Sequence, residues 1–182
     1  MKKTILTAFT AASLLIYSTP SFAELFSVSA GVPFSHSFAV TKVAESDGIS
    51  GFFIAAKLPI MVGVGIESYK TKIKGNDKTK KLATSMYDIF YQLPIPIVNL
   101  TLGLGMGSTE LQCGSCSTYN KGGANQWYTS VGIPIFPFFD VHLSLRRVSS
   151  KIKTNAASGG TPKGTEYDVG GTVAGIGIAF GF

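Results

Sequence analysis

The sequence predicts an all-β fold, an eight-stranded antiparallel up-and-down transmembrane β-barrel, from three observations. Large apolar residues recur at every second position over most of the chain, which is the side-chain period of a β-strand. Only 14% of the residues are charged and 21 are glycines, so residues suited to a water-exposed surface are scarce. After the N-terminal segment, no stretch approaches the ~20 consecutive apolar residues of a membrane-spanning helix.

The N-terminal segment predicts a cleaved signal peptide over residues 1–23. Lys2 and Lys3 precede a short apolar run, and Ser21-Phe22-Ala23 has the small-x-small pattern of a cleavage site. The run is too short for a spanning helix, and a retained N-terminal anchor is the alternative interpretation. Cleavage would leave residues 24–182 as one barrel domain and lower the formal net charge from +6 to +4, because both lysines are removed.

Eight segments carry large apolar residues on one face and mostly Gly, Ser and Ala on the other. In the fifth segment, for example, Leu100, Leu102 and Leu104 alternate with Thr101 and Gly103. Each segment is interpreted as a strand that crosses a bilayer at a tilt, which takes about 9 to 11 residues. In chain order the segments are 26–34, 51–58, 62–67, 86–93, 98–107, 127–133, 139–146 and 173–182.

The connections between these segments alternate in character. Three are short and contain prolines, at Pro59, at Pro94 and Pro96, and at Pro134 and Pro137. Four are long and polar, near 36–49, 71–81, 109–124 and 149–165. This alternation predicts that both chain ends lie with the short turns, in the periplasm, and that the long loops are extracellular, as in an outer-membrane barrel.

A soluble, lipocalin-like barrel has the same number of strands and is the alternative architecture. A strand face toward water is usually rich in Lys, Glu and Thr. The non-apolar face here consists of small residues and isolated charges, which fits the narrow interior of an eight-stranded barrel better than it fits bulk water. We therefore expect the large apolar residues to face lipid.

The last strand resembles the C-terminal strand of the small eight-stranded outer-membrane proteins, the group that includes the OmpA membrane domain, OmpX and OmpW. Its large residues stand at alternate positions, at Ile176, Ile178, Phe180 and Phe182. In those families this strand and its final aromatic residue are recognised by the outer-membrane barrel assembly machinery. The resemblance implies that machinery as a partner and a bacterial outer membrane as the location, and it selects no subfamily.

Charged residues on the inward face predict a network in the lumen. Glu67 and Asp88 lie on neighbouring strands at similar depth, and Arg146 lies about half the barrel away. Ion pairs across the lumen are expected because a buried charge needs a partner. A polar plug is the preferred interpretation, and a narrow pore for small solutes is the alternative, since inward glycines leave space. The predicted network comprises Glu67, Asp88, Asp140, His142 and Arg146.

His142 and Ser144 stand two apart on one strand, and Glu166 is expected at the start of the last strand. This arrangement resembles the lipid A deacylase barrels of the PagL type, which carry His-x-Ser on the penultimate strand and a Glu on the last. The resemblance implies a Ser nucleophile, a His base and an orienting carboxylate. Those enzymes follow the serine with Asn-Ala, whereas Leu145 and Arg146 follow here. A hydrogen-bonded pair in the lumen is the preferred interpretation.

Basic residues concentrate around the second and fourth long connections. In an outer membrane they would face the phosphates of lipopolysaccharide or another anionic surface ligand, and simple solvation is the alternative. Nucleic acid is not expected as a partner, because no stacking aromatic residues accompany the charge. The predicted anion-binding residues are Lys70, Lys72, Lys74, Lys78, Lys80, Lys81, Arg147, Lys151 and Lys153.

The two cysteines, Cys113 and Cys116, predict a local disulfide in the third long connection of an exported protein. Two thiols without further ligands make a poor metal site, and we expect no metal or other cofactor. Trp127, Tyr128 and Tyr87 are interpreted as aromatic residues at the membrane interface.

The sequence therefore predicts a non-enzymatic outer-membrane barrel that has a plugged lumen and basic extracellular loops. A narrow pore and a lipid A esterase are the two alternative functions, from different classes. Conductance would distinguish the first alternative, and a change in lipid A acylation would distinguish the second.

Overall fold

A computed structural model describes residues 26–39, 45–75, 80–93, 95, 98–113, 119–136, 138–155 and 162–182. The predicted signal peptide lies outside the described residues, as do Lys78 and Cys116. Within the described ranges, no helix is long and apolar enough to cross a membrane.

The described residues form a closed antiparallel barrel of eight long strands, as predicted. Consecutive long strands pair with each other, and the last of them pairs with the first. Two short strands, β6 and β9, are added to β8 at one end. In chain order the strands are β1 (Ser27–Phe38), β2 (Ser46–Lys57), β3 (Val62–Ile73), β4 (Lys81–Leu93), β5 (Asn99–Gln112), β6 (Tyr119–Asn120), β7 (Gly122–Phe136), β8 (Phe139–Thr154), β9 (Glu166–Asp168) and β10 (Gly171–Gly181).

The barrel closes between β1 and β10 at the end that also carries the connections 58–61, 94–98 and 137–138, here called the short-turn end. The Phe182 amide donates to the Phe26 carbonyl at 2.8 Å, and the Phe26 amide donates to the Phe182 carbonyl at 3.3 Å. The Gly181 amide also donates to the Phe138 carbonyl at 2.9 Å. The opposite end, with the longer connections, is the long-loop end.

Large apolar side chains form a continuous belt on the outer wall. Val64, Leu104 and Leu143 are 58–64% exposed, and Ile178 and Phe180 of the last strand are 41% exposed. An apolar surface that surrounds the whole molecule cannot face water, because soluble proteins expose only limited apolar patches. The belt therefore faces the hydrocarbon of a membrane, and the polar residues that alternate with it face the lumen.

The polarity of the two faces reverses along the strands toward the long-loop end. On β3, Ile66 faces out and Glu67 faces in, but farther along Lys70 faces out and Tyr69 faces in. The same reversal occurs on β8, where Leu145 and Arg146 give way to an outward Lys151 and its inward neighbours. The membrane-facing part of the wall ends at this reversal, and the strands continue beyond it.

The predicted long connections were consequently too long. Residues 46–49, 71–73, 109–112 and 149–154, which the polar composition assigned to loops, belong to strands. Their outward residues are polar because the wall there faces water. Their inward residues include Ile73 and Ile152, so the period of two continues with the opposite polarity.

We expect deletion of Phe182 to reduce assembly in the outer membrane far more than deletion of residues 76–79. The first deletion removes both hydrogen bonds to Phe26 and the last outward aromatic side chain, whereas the second shortens one connection. Quantitative blotting of outer-membrane fractions would measure both variants. Equal levels of the two variants would contradict this role for the terminal residue.

Candidate functional site

The lumen begins at the short-turn end with a small polar cavity. Its volume is about 70 Å³ and its lining includes Lys57, Gln92, Asn99, Asp140 and His142. The Gln92 amide donates to the Asn99 side-chain oxygen at 2.8 Å, and the Asn99 amide donates to Asp140. This volume holds only a few water molecules. Asp140 and His142 therefore lie closer to the short-turn end than the rest of the predicted network, which comprises Glu67, Asp88 and Arg146.

A charged layer centred on Arg146 lies above this cavity. The Arg146 Nε donates to the Glu67 Oε2 at 2.8 Å, and the two side chains are 6% and 1% exposed. The guanidinium carbon lies 4.1 Å from the centre of the Phe53 ring and 5.1 Å from that of Tyr128. Arg146 also donates to the Ser144 hydroxyl. One buried cation is thus held by a carboxylate, a hydroxyl and two aromatic rings.

Asp88 completes the charged layer. Its Oδ1 accepts a hydrogen bond from the Gln126 amide at 2.7 Å, so the carboxylate has a neutral partner. The structure therefore brings Glu67 and Arg146 into direct contact across the lumen and gives Asp88 a separate partner.

The space next to the inward glycines is filled by large side chains of neighbouring strands. A Cβ added at Gly103 would lie 2.3 Å from the Tyr128 ring, and one at Gly105 would lie 2.1 Å from the Asp88 Oδ1. At Gly31 the corresponding distance to the Phe53 ring is 2.2 Å. Gly103 and Gly105 were expected to leave free space in the lumen. They instead provide room for the side chains of the charged layer.

Apolar side chains fill the lumen on the long-loop side of the charged layer. The first cluster comprises Tyr69, Met86, Ala124, Val148 and Val173. Beyond it, the Thr84 and Thr109 hydroxyls lie 3.0 Å apart, and the His36 Nδ1 lies 2.8 Å from the Thr71 hydroxyl. A second cluster follows, of Phe38, Leu82, Ile152 and Val169. In the described part of the barrel, these layers follow one another from the charged layer toward the long-loop end.

Several lumen residues were not predicted as part of the network. Phe53 and Gln126 hold the charged groups, and Tyr128 was assigned to the membrane interface. The structure corrects that assignment, because Tyr128 is 6% exposed and faces the lumen. Its neighbour Trp127 is 59% exposed and faces out. The alternation of faces was the available signal, since adjacent strand residues cannot both face lipid.

The structure does not bring His142, Ser144 and Glu166 together. The Ser144 hydroxyl donates to the Gly175 carbonyl at 3.3 Å, and within the described residues it makes no hydrogen bond with His142. Glu166 does not begin the last strand as expected, because it belongs to β9 and lies opposite Lys153. At ~3.3 Å per residue, that position is roughly 30 Å along β8 from Ser144.

Most of the predicted loop cations lie on strands. Lys70 and Lys72 are outward residues of β3, and Lys81 is an outward residue of β4. Arg147, Lys151 and Lys153 are outward residues of β8. The assignment to long connections was wrong for Lys72, Lys81, Lys151 and Lys153, because the strands continue past the membrane-facing wall. Lys74 and Lys80 lie in the connection between β3 and β4.

The cations on β8 are compensated by nearby groups. The Lys153 Nζ lies 2.8 Å from the Glu166 Oε1, and the Lys151 Nζ lies 3.6 Å from the Oε2. The hydrogen bond and charge of Lys153, followed by the charge of Lys151, hold the pKa of Glu166 below its usual value. Arg147 donates to the Thr172 hydroxyl at 3.1 Å.

The cations on β3 and β4 are not compensated in this way. Lys74 pairs with Glu45 at 2.9 Å, and the hydrogen bond from Lys74 lowers the pKa of Glu45. For Lys70, Lys72 and Lys81, by contrast, the described ranges provide no ion-pair partner. The two basic surfaces therefore differ in their ion pairing within the described residues.

Cys113 is disulfide-bonded. Because Cys116 lies outside the described residues, the pairing of these two cysteines stays a prediction.

We expect replacement of Arg146 by Met to lower the free energy of unfolding by about 3–5 kcal/mol, because Glu67 would remain buried without its cation. The double variant Glu67→Leu/Arg146→Met should regain most of this loss, since no charge is then left unpaired. Urea titration followed by Trp127 fluorescence would measure both variants. A double variant no more stable than the single variant would contradict the proposed cause.

The comparisons with known proteins agree with the barrel geometry. No family model matches the chain, and no curated protein matches it. Among solved structures, the chain is similar to Neisserial surface protein A, with 16% identity, a TM-score of 0.57, and coverage of 86% of this chain and 97% of that one. It is also similar to the Escherichia coli outer membrane protein W, with 12% identity, a TM-score of 0.51, and coverage of 90% and 100%. These likenesses show the fold: the chain is a small eight-stranded β-barrel of the outer-membrane type.

Proposed function

We propose that this protein is a non-enzymatic barrel of the bacterial outer membrane that has a sealed lumen and presents a basic surface to lipopolysaccharide. The observation that carries the proposal is the filled lumen. The Arg146–Glu67 pair and two apolar clusters occupy successive levels, so the lumen serves stability rather than passage. The function then resides on the outer surface.

The basic residues of the long-loop end support the choice of ligand. Lys70, Lys72 and Arg147 stand on the outer wall just beyond the apolar belt, the height at which lipid headgroups meet the protein. Lysine and arginine in this position attract anionic lipids. The long-loop end accordingly faces outward from the cell, and both chain ends face the periplasm, where the assembly machinery recognises the last strand.

A narrow pore is the second candidate function. The polar cavity at the short-turn end favours it, because Lys57 and Asp140 would line the entrance. The apolar clusters oppose it, since a hydrated path would have to cross both of them.

We expect the purified, refolded protein to show no steady single-channel conductance in planar bilayers. A Glu67→Gln/Asp88→Asn variant should also remain silent, because the apolar clusters above these carboxylates stay in place. A Tyr69→Ala/Met86→Ala/Leu82→Ala variant serves as a control that thins those clusters and should conduct. Steady conductance of the wild type would contradict the sealed lumen and favour the pore.

We further expect the wild-type protein to retain lipopolysaccharide during purification and to lose it as the salt concentration rises, because the attraction is electrostatic. Replacement of Glu166 by Gln should increase retention, since it releases Lys151 and Lys153 from their carboxylate. Glu45→Gln is a matched control. It releases Lys74 from its exposed ion pair with Glu45, and it therefore tests whether the position of the released lysine affects lipopolysaccharide retention. Retention that does not depend on salt or on Glu166 would count against a basic binding surface.

A further inference from the structure

The outer wall at the long-loop side of β3, β4 and β5 has a defined polar border. Ser68, Ser85 and Ser108 lie side by side across these three strands. The Ser68 and Ser85 hydroxyls are 3.2 Å apart. The next outward residues on the membrane side are Ile66, Tyr87 and Met106, of which Tyr87 is 73% exposed. The serines therefore mark the height at which the hydrocarbon ends, just above a tyrosine at the interface.

Three lysines stand immediately beyond this border. Lys70 is the next outward residue after Ser68 on β3, and Lys72 is the one after that. Lys81 lies directly opposite Lys72 on β4. Directly opposite side chains have Cβ atoms about 5 Å apart, and successive outward residues of one strand are roughly 7 Å apart. The three ammonium groups can therefore reach one common point above the serines.

The arrangement of like charges is unfavourable without a further partner. Directly opposed like charges destabilise a strand pair. Two carboxylates lie near these lysines in register. Glu110 lies opposite Ala83 and accepts a hydrogen bond from Gln112, and Asp47 lies in the irregular stretch of β2 that faces Lys72. No ion pair joins either carboxylate to Lys72 or Lys81 within the described part of the chain. An anion that bridges the three lysines would remove the repulsion.

We propose that Lys70, Lys72 and Lys81 form a binding site for a phosphate group of a phosphorylated membrane lipid, on the outer wall of β3 and β4. The acyl chains of this lipid lie along the apolar belt below Ile66 and Tyr87, and its phosphate lies above Ser68 and Ser85. The site rests on the proposed function, because the lipid must belong to the leaflet that surrounds the long-loop end. Lys151 and Lys153 do not form a similar site, because both already form ion pairs with Glu166.

The test compares one triple variant and one double variant with the wild type in detergent. Lys70→Gln/Lys72→Gln/Lys81→Gln removes the site, and Lys151→Gln/Lys153→Gln removes a similar charge elsewhere. Heat-modified migration on gels establishes that each variant is folded. The probe is diphosphoryl lipid A, with fully dephosphorylated lipid A and inorganic phosphate as separate arms, and bound lipid is counted by native mass spectrometry.

We expect the triple variant to bind diphosphoryl lipid A at least 10-fold more weakly than the wild type, and the β8 variant to bind within about twofold of it. Dephosphorylated lipid A should bind the wild type as weakly as diphosphoryl lipid A binds the triple variant. Inorganic phosphate at millimolar concentration should not displace the lipid, because the acyl chains also contribute to binding. Displacement would assign the site to free phosphate and overturn the lipid proposal.

The unfolding temperature, measured with and without lipid, shows whether the three lysines bind lipid or are simply solvated. Without lipid and at low salt, the triple variant should unfold at a higher temperature than the wild type, because the repulsion between Lys72 and Lys81 is gone. With diphosphoryl lipid A the order should reverse. The same order in both conditions would overturn the proposed site.

The outcomes also distinguish this site from the broader function. Loss of lipid A binding in the β8 variant, with full binding by the triple variant, would overturn the β3–β4 site and leave the proposed function standing. A wild type that binds neither lipid A nor lipopolysaccharide would overturn both.

Discussion

The narrow interior of an eight-stranded barrel is the constraint on which the rest of the structure depends. Side chains from all strands compete for one small cross-section, so a large side chain needs a small one opposite. Tyr128 and Phe53 fit because Gly103 and Gly31 lie beneath their rings. These rings in turn enclose the Arg146 guanidinium. The glycines, the aromatic rings and the buried ion pair therefore act as one packed unit.

The alternation of apolar and small residues was sufficient to predict the strand number, the order of short and long connections, and the direction in which each face points. Those features follow from a period of two and from the need for closed pairing in a membrane. Arg146 and Glu67 could be placed in the lumen for the same reason. The partners Gln126 and Phe53 could not be predicted, because their contacts depend on cross-strand register and on the space above particular glycines.

The ends of the strands could not be predicted from the sequence, for a different physical reason. A search for apolar residues on one fixed face stops where that face becomes polar. Ile73 and Ile152 continue the alternation on the other face, so the strands extend into segments that look like loops. The positions of Lys72 and Lys153 were misassigned by the same step. Only the pairing of β9 with β8 reveals that Glu166 forms ion pairs with Lys151 and Lys153, whereas the lysines of β3 and β4 have no ion-pair partner among the described residues.

The reversal of polarity divides the barrel into a part whose outer wall contacts lipid and a part whose outer wall contacts water. On the membrane side of Ser68, Ser85 and Ser108, apolar side chains face out and polar side chains face in, so this part of the barrel requires lipid. Beyond these serines, the buried apolar residues around Tyr69 and Leu82 form an ordinary apolar core under a polar surface. Packing in that upper part is maintained by water exclusion, as in a soluble β-protein. The long connections thus join strand ends that are packed together independently of the lipid, and their sequences can diverge without disturbing the lipid-facing wall.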